Sequence, residues 1–331
     1  MPRTEFISTG YYVPERVVTN LELENYMTTS DERIRKRSGI EERRWCKEGQ
    51  GGSDMAKVAT ERALEKAGME SDEIDCIVVA TISPDYFFPG TAVFLQRKLG
   101  LTEIPCFDLR NQCSGFLYGL EMADALIRMG QYEKILLVGT EIHSTGLQVN
   151  DVGRDTAVLF GDGAGVAILG PTDDDERGVR AVRTHADGNY AEKLWAPAPA
   201  CIKNPFISKQ DIDDMLVRPF MEGKEVFRHA VTRMPEAIHE VLDEAGLTID
   251  QVDMVIPHQA NLRIAEMVQR RLGLPDDKMY NNIMRYGNTT AASIPIALSE
   301  AVDEGKIERG DLVAFAAFGS GFTWGGALVR W

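Results

Sequence analysis

The sequence contains no run of the roughly 18 apolar residues needed to span a bilayer, and its opening stretch, MPRTEFISTG, has no apolar signal core. The expectation is a protein that neither crosses a membrane nor is exported. Cysteines are few and odd in number: Cys46, Cys76, Cys106, Cys113 and Cys201, with no CxxC spacing among them. A disulfide framework is thereby excluded, and a reducing cytoplasm is the expected compartment. Positive charge is scarce: 36 Lys and Arg face 51 Asp and Glu, leaving a net charge of −15. This argues against nucleic acid as a partner, because binding there gains from counterion release only where Lys and Arg cluster. Any acidic partner must find a local basic patch. A full dinucleotide fingerprint is also missing. FGDGAG (Phe160 to Gly165) lacks the GxGxxG spacing and a downstream acidic residue, so its glycines are expected to permit close packing near the floor of a site. HADG (His185 to Gly188) offers no second ligand at metal spacing, and no metal is expected.

What is present is a chain of 331 residues, 44% apolar, long enough for one large domain or two ordinary ones. It repeats itself. LEKAGMESDEIDCIVVA (Leu64 to Ala80) is echoed 178 residues later by LDEAGLTIDQVDMVIPH (Leu242 to His258), and LQRKLGL (Leu95 to Leu101) is echoed 173 residues later by VQRRLGL (Val268 to Leu274). A weaker pair, ADALIRMGQYEKILLVG and SEAVDEGKIERGDLVAFAAFG, is offset by about 175, which suggests two related halves, 1–175 and 176–331. Each half reads as α/β. Ser53 to Gly68 has helical spacing, with Ser53 as the expected N-cap and Gly68 as the stop. IDCIVVAT then reads as a buried strand. Alternating helices and buried strands predict sheets covered on both faces and are compatible with a two-sheet, five-layered αβαβα arrangement, which the alternation alone does not fix. Ala196 to Gly223, rich in Pro and polar residues, reads as an elaborated loop over a pocket.

Three polar residues sit at the joints of this pattern. Cys113, in NQCSGF, follows the strand CFDL and precedes a helix beginning GFLYGL. Backbone NH groups and the helix dipole there favour a thiolate and could hold an oxyanion. A shift of 175 carries Cys113 onto Asn288, in YGNTTAASIP, and His258 follows the strand MVIP, where side chains open into a crevice. Each residue also has a plain structural reading: a buried small thiol, a histidine satisfied by backbone, a turn or cap asparagine. Cys, His and Asn together also occur in cysteine peptidases. That reading fails here, because a whole half-domain precedes the cysteine and the Cys-Gly-Ser/Ala-Cys-Trp/Tyr setting is absent.

The stretches TSDERIRKRSGIEERR, VVATISPDYFFPGTA, VLFGDGAG, IPHQANLRI, YGNTTAASIP and GFTWGGALVR, spread over nearly the entire chain, resemble the β-ketoacyl-acyl carrier protein synthases III of the thiolase superfamily. The resemblance implies a decarboxylating Claisen condensation of an acyl-CoA primer with malonyl-acyl carrier protein, with no cofactor beyond the CoA thioester substrate. Cys113 would be acylated, while His258 and Asn288 would donate hydrogen bonds to the malonyl thioester as it becomes an enolate. The backbone NH groups of Cys113 and Ser320 would form the oxyanion hole. Arg33, Arg37 and Arg154 match CoA-binding positions, Phe88 matches a residue that reaches into the partner subunit's acyl pocket in a homodimer, and Arg263 matches a position that docks acyl carrier protein.

The chain also departs from the pattern. Ser320 stands where three glycines are common, and Arg33 replaces a tryptophan that stacks on adenine. Asn111 and Gln112 are larger and more polar than the usual residues before the cysteine, which points to an unusual acyl pocket. Two alternatives follow: a specialised ketosynthase or acyltransferase of secondary metabolism with a longer or unusual acyl group, and a non-catalytic subunit of a condensing complex. Of the arginines after His258, Arg270 and Arg271 have counterparts in the first-half repeat, Arg97 and Lys98, and read as a solvated helix face; Arg263 has none.

Overall fold

The strands Cys76–Ala80 and Ile135–Glu141 are buried along their whole length, and a strand buried on both faces needs a cover on each. The computed structural model, which describes residues 2–331, supplies both covers. A five-stranded sheet has the order Arg3–Tyr12, Gly163–Thr172, Ile135–Glu141, Cys76–Ala80, Cys106–Leu109. A four-stranded sheet follows the order Met254–Pro257, Leu312–Gly319, Thr323–Arg330, Gly178–Ala186. The strands that feed the site are paired in parallel, Cys76–Ala80 with both neighbours and Met254–Pro257 with Leu312–Gly319.

Helices Gly115–Arg128 and Ser293–Asp303 lie between the two sheets, and their apolar residues share one core with Val78, Leu137, Ile256 and Phe315. Helices Gly52–Ala67 and Thr91–Lys98 cover the outer face of the first sheet; Gly223–Ala245 covers that of the second, with Leu262–Leu272 packed alongside it. The result is a five-layered αβαβα stack, the thiolase-like fold that the resemblance implies. Gly165, within FGDGAG, lets the middle layer close. A Cβ there would lie 2.6 Å from the Ile296 nitrogen, so helix Ser293–Asp303 rests on a strand that only glycine permits at this height.

The internal repeat survives in three dimensions with a sharper register than its average. The strands Cys76–Ala80 and Met254–Pro257 begin 178 residues apart, and so do the 3₁₀ turns Gln112–Ser114 and Thr290–Ala292, each leading into a central helix. The first residue of each turn has positive φ, 46° at Gln112 and 49° at Thr290. In this register Cys113 corresponds to Ala291, not to Asn288 as a shift of 175 suggests. Loops of unequal length absorb the difference, so an averaged offset belongs to no single element. The start of the first long helix also differs from expectation. It begins at Gly52 with Gly51 as N-cap, and Asp54 accepts from the Gly51 NH at 2.8 Å. Ser53 is instead buried inside the first turn, where its hydroxyl donates to Asp85 at 2.6 Å.

Candidate active site

Parallel strands end on the same side of a sheet, and their ends together with the turns before the central helices form the site. Cys113 occupies the turn Gln112–Ser114 at the head of helix Gly115–Arg128. The Ser114 hydroxyl fixes that turn, lying 2.9 Å from the Asn111 carbonyl and 2.7 Å from the Thr323 hydroxyl. Gly319, at the end of strand Leu312–Gly319, approaches from the second half. A Cβ at Gly319 would fall 2.8 Å from the Cys113 Cβ and 3.1 Å from its nitrogen, so glycine is required for the close approach. Ser320 follows directly; it is not among the residues with positive φ, so serine is accommodated there without backbone strain, and its hydroxyl donates to the Leu194 carbonyl.

The segment Asn288 to Ser293 is the hub that gathers the other groups. His258, only 3% exposed, follows strand Met254–Pro257, and its Nδ1 lies 2.6 Å from the Ser293 hydroxyl. Its Nε2 is buried without a hydrogen-bond partner. Burial pushes the imidazole down to about 3, so His258 is neutral near pH 7. In the tautomer in which the Ser293 hydroxyl donates to Nδ1, the Nε2 carries the proton and is an available donor. The Asn288 side-chain oxygen accepts from the Thr290 NH at 2.9 Å, which orients the amide and leaves its NH₂ to donate. In that tautomer two neutral donors flank this hub.

Cys113 differs from expectation in charge. Burial pushes its thiol up to about 12, with the Glu141 carboxylate adding to the rise, against the donors at the turn that lower it. The helix terminus does not make a resting thiolate. Although part of the cysteine surface is reachable from outside, the sulfur sits deep enough for desolvation to dominate. Glu141 is itself pushed up to about 8 by burial and is protonated at neutral pH; it lies 2.7 Å from the Ser83 hydroxyl and accepts from the Ile82 NH at 3.1 Å.

Several residues here escaped the sequence reading. His143 lies 2.6 Å from the Thr290 hydroxyl through Nε2, its ring packs 4.5 Å from that of Phe160, and its NH donates to Asp162 at 2.7 Å. Burial lowers its pKa to about 4. A usable signal existed: Glu141 and His143 close the apolar strand ILLVGTE just as His258 closes MVIP. Ser293 gave no comparable sign, since its role depends on where the helix start falls relative to His258.

The remaining candidates fall into three surface regions. Arg33, Arg37 and Arg154 converge on one cleft, with Thr29, Asp155 and Leu159 also lining it. Leu159 connects that cleft to the hub, because its carbonyl accepts from the Asn288 NH at 2.8 Å. Arg263 is exposed in the first turn of helix Leu262–Leu272 and forms no ion pair among the described residues. Asn261, at that helix's N-cap, donates to the Arg37 carbonyl at 3.0 Å, so Arg263 stands near the lip of the cleft. Arg271 is instead tied to the neighbouring helix, donating to the Val231 carbonyl at 2.8 Å. Phe88 is 82% exposed beside exposed Tyr86 and Phe87, which rules out core packing within this chain. Phe87 touches Phe206 at 5.9 Å between ring centres, joining this patch to the 196–223 loop. That loop closes at its base through a two-stranded ribbon pairing Leu194–Trp195 with Phe220–Met221, beside Ser320. His185 pairs with Glu240 at 2.7 Å, and among the described residues no cluster of three His, Cys, Asp or Glu could hold a metal.

Two family profiles match the chain: 3-oxoacyl-[acyl-carrier-protein (ACP)] synthase III over residues 107–188, and the C-terminal part of the same family over residues 242–331. A beta-ketoacyl-[acyl-carrier-protein] synthase III from Geobacillus kaustophilus is 46% identical over 325 residues, covering 98% of each chain. The crystal structure of the synthase III from Thermus thermophilus superposes with a TM-score of 0.91 at 42% identity, covering 99% of both chains. The priming β-ketosynthase of the R1128 polyketide biosynthetic pathway superposes with a TM-score of 0.89 at 33% identity, covering 99% of this chain and 96% of that one. The thiolase-like stack, the duplicated halves and these likenesses agree, and the chain belongs to the β-ketoacyl-acyl carrier protein synthase III family of acyl-transferring condensing enzymes.

Proposed function

We propose that this enzyme starts fatty-acid chains by condensing an acyl-CoA primer with malonyl-acyl carrier protein, using Cys113, His258 and Asn288. The observation that carries the reading is a neutral His258 whose buried Nε2 has no partner, together with the oriented Asn288 amide, next to the turn that packs against the turn of Cys113. A charged base would be wasted on a substrate that yields its own carbanion when carbon dioxide leaves. Neutral donors are what the resulting enolate oxygen requires. Cys113 first attacks the acyl-CoA carbonyl, and CoA departs as the thiol. The enolate then attacks the Cys113 thioester, and the cysteine sulfur leaves. Backbone NH groups of Cys113 and Ser320 receive the oxyanion in each tetrahedral intermediate. Arg33, Arg37 and Arg154 hold the CoA nucleotide and phosphates, with guanidinium stacking in place of an aromatic clamp. Arg263 meets the acidic carrier at the lip of the same cleft. The exposed Phe88 patch supports a homodimer in which Phe88 enters the partner's acyl pocket. Among the described residues no helix is long and apolar enough to cross a membrane; the proposed compartment is the cytoplasm, and the proposed halves divide near residue 175.

A specialised acyl preference is the second reading, favoured by the polar lining that Asn111, Gln112 and His143 give the neighbourhood of Cys113. A panel of acyl-CoA primers with malonyl-acyl carrier protein tests both. The expected result is formation of 3-oxoacyl-carrier product together with an acyl adduct on Cys113. Strong preference for acetyl-CoA would remove the specialised reading, and lack of any adduct across chain lengths would overturn the catalytic one.

A further inference from the structure

Thr290 is a β-branched residue held at φ 49°, in the left-handed region that such residues avoid. Conformations of this kind are costly and persist where surrounding contacts impose them. Those contacts are explicit here. The Thr290 NH is bound to the Asn288 side chain at 2.9 Å, and its hydroxyl lies 2.6 Å from His143 Nε2. The turn it opens packs directly against the turn of Cys113, with the Ala291 Cβ 3.6 Å from where a Gly115 Cβ would stand. Thr290 is near enough to the Cys113 sulfur to oppose the rise in its pKa. In the resting state this contact falls short of full hydrogen-bond geometry, as suits a thiol, which is a weak acceptor.

We propose that His143 and Thr290 form a hydrogen-bond chain that stabilises negative charge on Cys113: His143 Nε2–H donates to Thr290 Oγ1, and Thr290 Oγ1–H donates to the Cys113 sulfur. Thr290 is then a catalytic residue, since it touches the reacting atom, and His143 is a positioning residue that acts through it. The inference rests on Cys113 being the nucleophile. Its chemical sense follows from the charge cycle of the reaction. The sulfur becomes anionic twice, as it attacks the primer and as it leaves the condensed product, and neither moment is served by donors placed for the malonyl oxygen. A fixed donor strengthens toward a thiolate and relaxes toward a thiol or thioester. The other titratable groups near this chain do not compete with it: Glu141 faces Cys113 in its protonated form near pH 7, and the Asp162 carboxylate, which faces His143, is occupied by the NH groups of Cys46, His143 and Ser144.

The test compares His143→Leu, His143→Gln, Thr290→Val and Thr290→Ser with the unaltered enzyme, following acylation by acyl-CoA through intact mass and Cys113 alkylation by iodoacetamide across pH. Loss of the chain in His143→Leu and Thr290→Val is expected to slow acylation about tenfold or more and to lower the alkylation profile about tenfold at each pH below the thiol's midpoint. His143→Gln and Thr290→Ser keep a donor in place and are expected to stay within about threefold of the unaltered enzyme. Nitrogen-15 NMR of the labelled, unaltered protein reads the His143 tautomer independently of any variant, and protonation at Nε2 is expected. An Nδ1–H tautomer, or normal acylation and an unmoved profile in Thr290→Val, overturns the chain. If the unaltered enzyme takes an acyl group anywhere but Cys113, the nucleophile assignment fails instead.

Discussion

The turns Gln112–Ser114 and Thr290–Ala292 are built alike yet carry different chemistry. Both are 3₁₀ turns, both open on a non-glycine residue of positive φ, and both lead into the central helix layer. One presents Cys113 at its middle position and the other Ala291. The strand ends differ in the same way, with His258 after Met254–Pro257 and Thr81 after Cys76–Ala80. Duplication thus built two equivalent sockets facing one another, and chemistry occupies them asymmetrically. In the proposed reaction the first half supplies the nucleophile and the second supplies the donors for the malonyl oxygen, so neither half is a complete site.

Removing the cysteine that marks the first socket should have the largest effect. Cys113→Ala is expected to end acylation, lowering turnover by on the order of a thousandfold or more, measured as loss of the acyl adduct by intact mass. The second socket should fail differently. His258→Ala and Asn288→Ala are expected to retain an acyl adduct while condensation falls about 10²–10³-fold each, because their donors serve an oxyanion formed only in the second step. Parallel mass and condensation assays separate the two cases, and full condensation by Asn288→Ala would place that amide outside the reaction.

A smaller effect concerns the rim around the sockets. Arg263→Glu is expected to raise KM for malonyl-acyl carrier protein about five- to tenfold at low salt, flatten the salt dependence and leave acylation by acyl-CoA within about twofold. Unchanged carrier kinetics at low salt would move the docking site elsewhere. The smallest effect is on stability. Glu141 is pushed up to about 8 from an ordinary carboxyl value, so the folded state keeps a proton that the unfolded chain releases. Its contribution is present at low pH and is lost as pH rises through about 8. The buried His258 and His143, lowered to about 3 and about 4, act oppositely and destabilise the fold only as pH drops below about 6.5. Between pH 6.5 and 8.5 the melting temperature is therefore expected to fall by a few degrees in the unaltered protein and to stay flatter in Glu141→Gln. Equal slopes would show that Glu141 is ionised in the fold.

Much of this was legible in the order of residues. Helical spacing, buried β-branched runs and the repeat of LEKAG as LDEAG specify alternating elements in two halves, because burial period and glycine stops are local properties of the chain. The strand-end positions of Cys113 and His258 were readable for the same reason. What only the tertiary structure decided depends on the matching of parts far apart in sequence. Loop lengths hid the true register, so the partner of Cys113 under the duplication is Ala291. The donor state of His258 depends on Ser293, which reaches it only because the helix start falls there. The thiol state of Cys113 reflects desolvation, which is set by everything packed around the sulfur and by no neighbour in the chain. His143 likewise became part of the site only when folding brought it to Thr290, across 147 residues of sequence. Local pattern determines elements and their order, whereas burial and hydrogen-bond geometry arise when those elements meet.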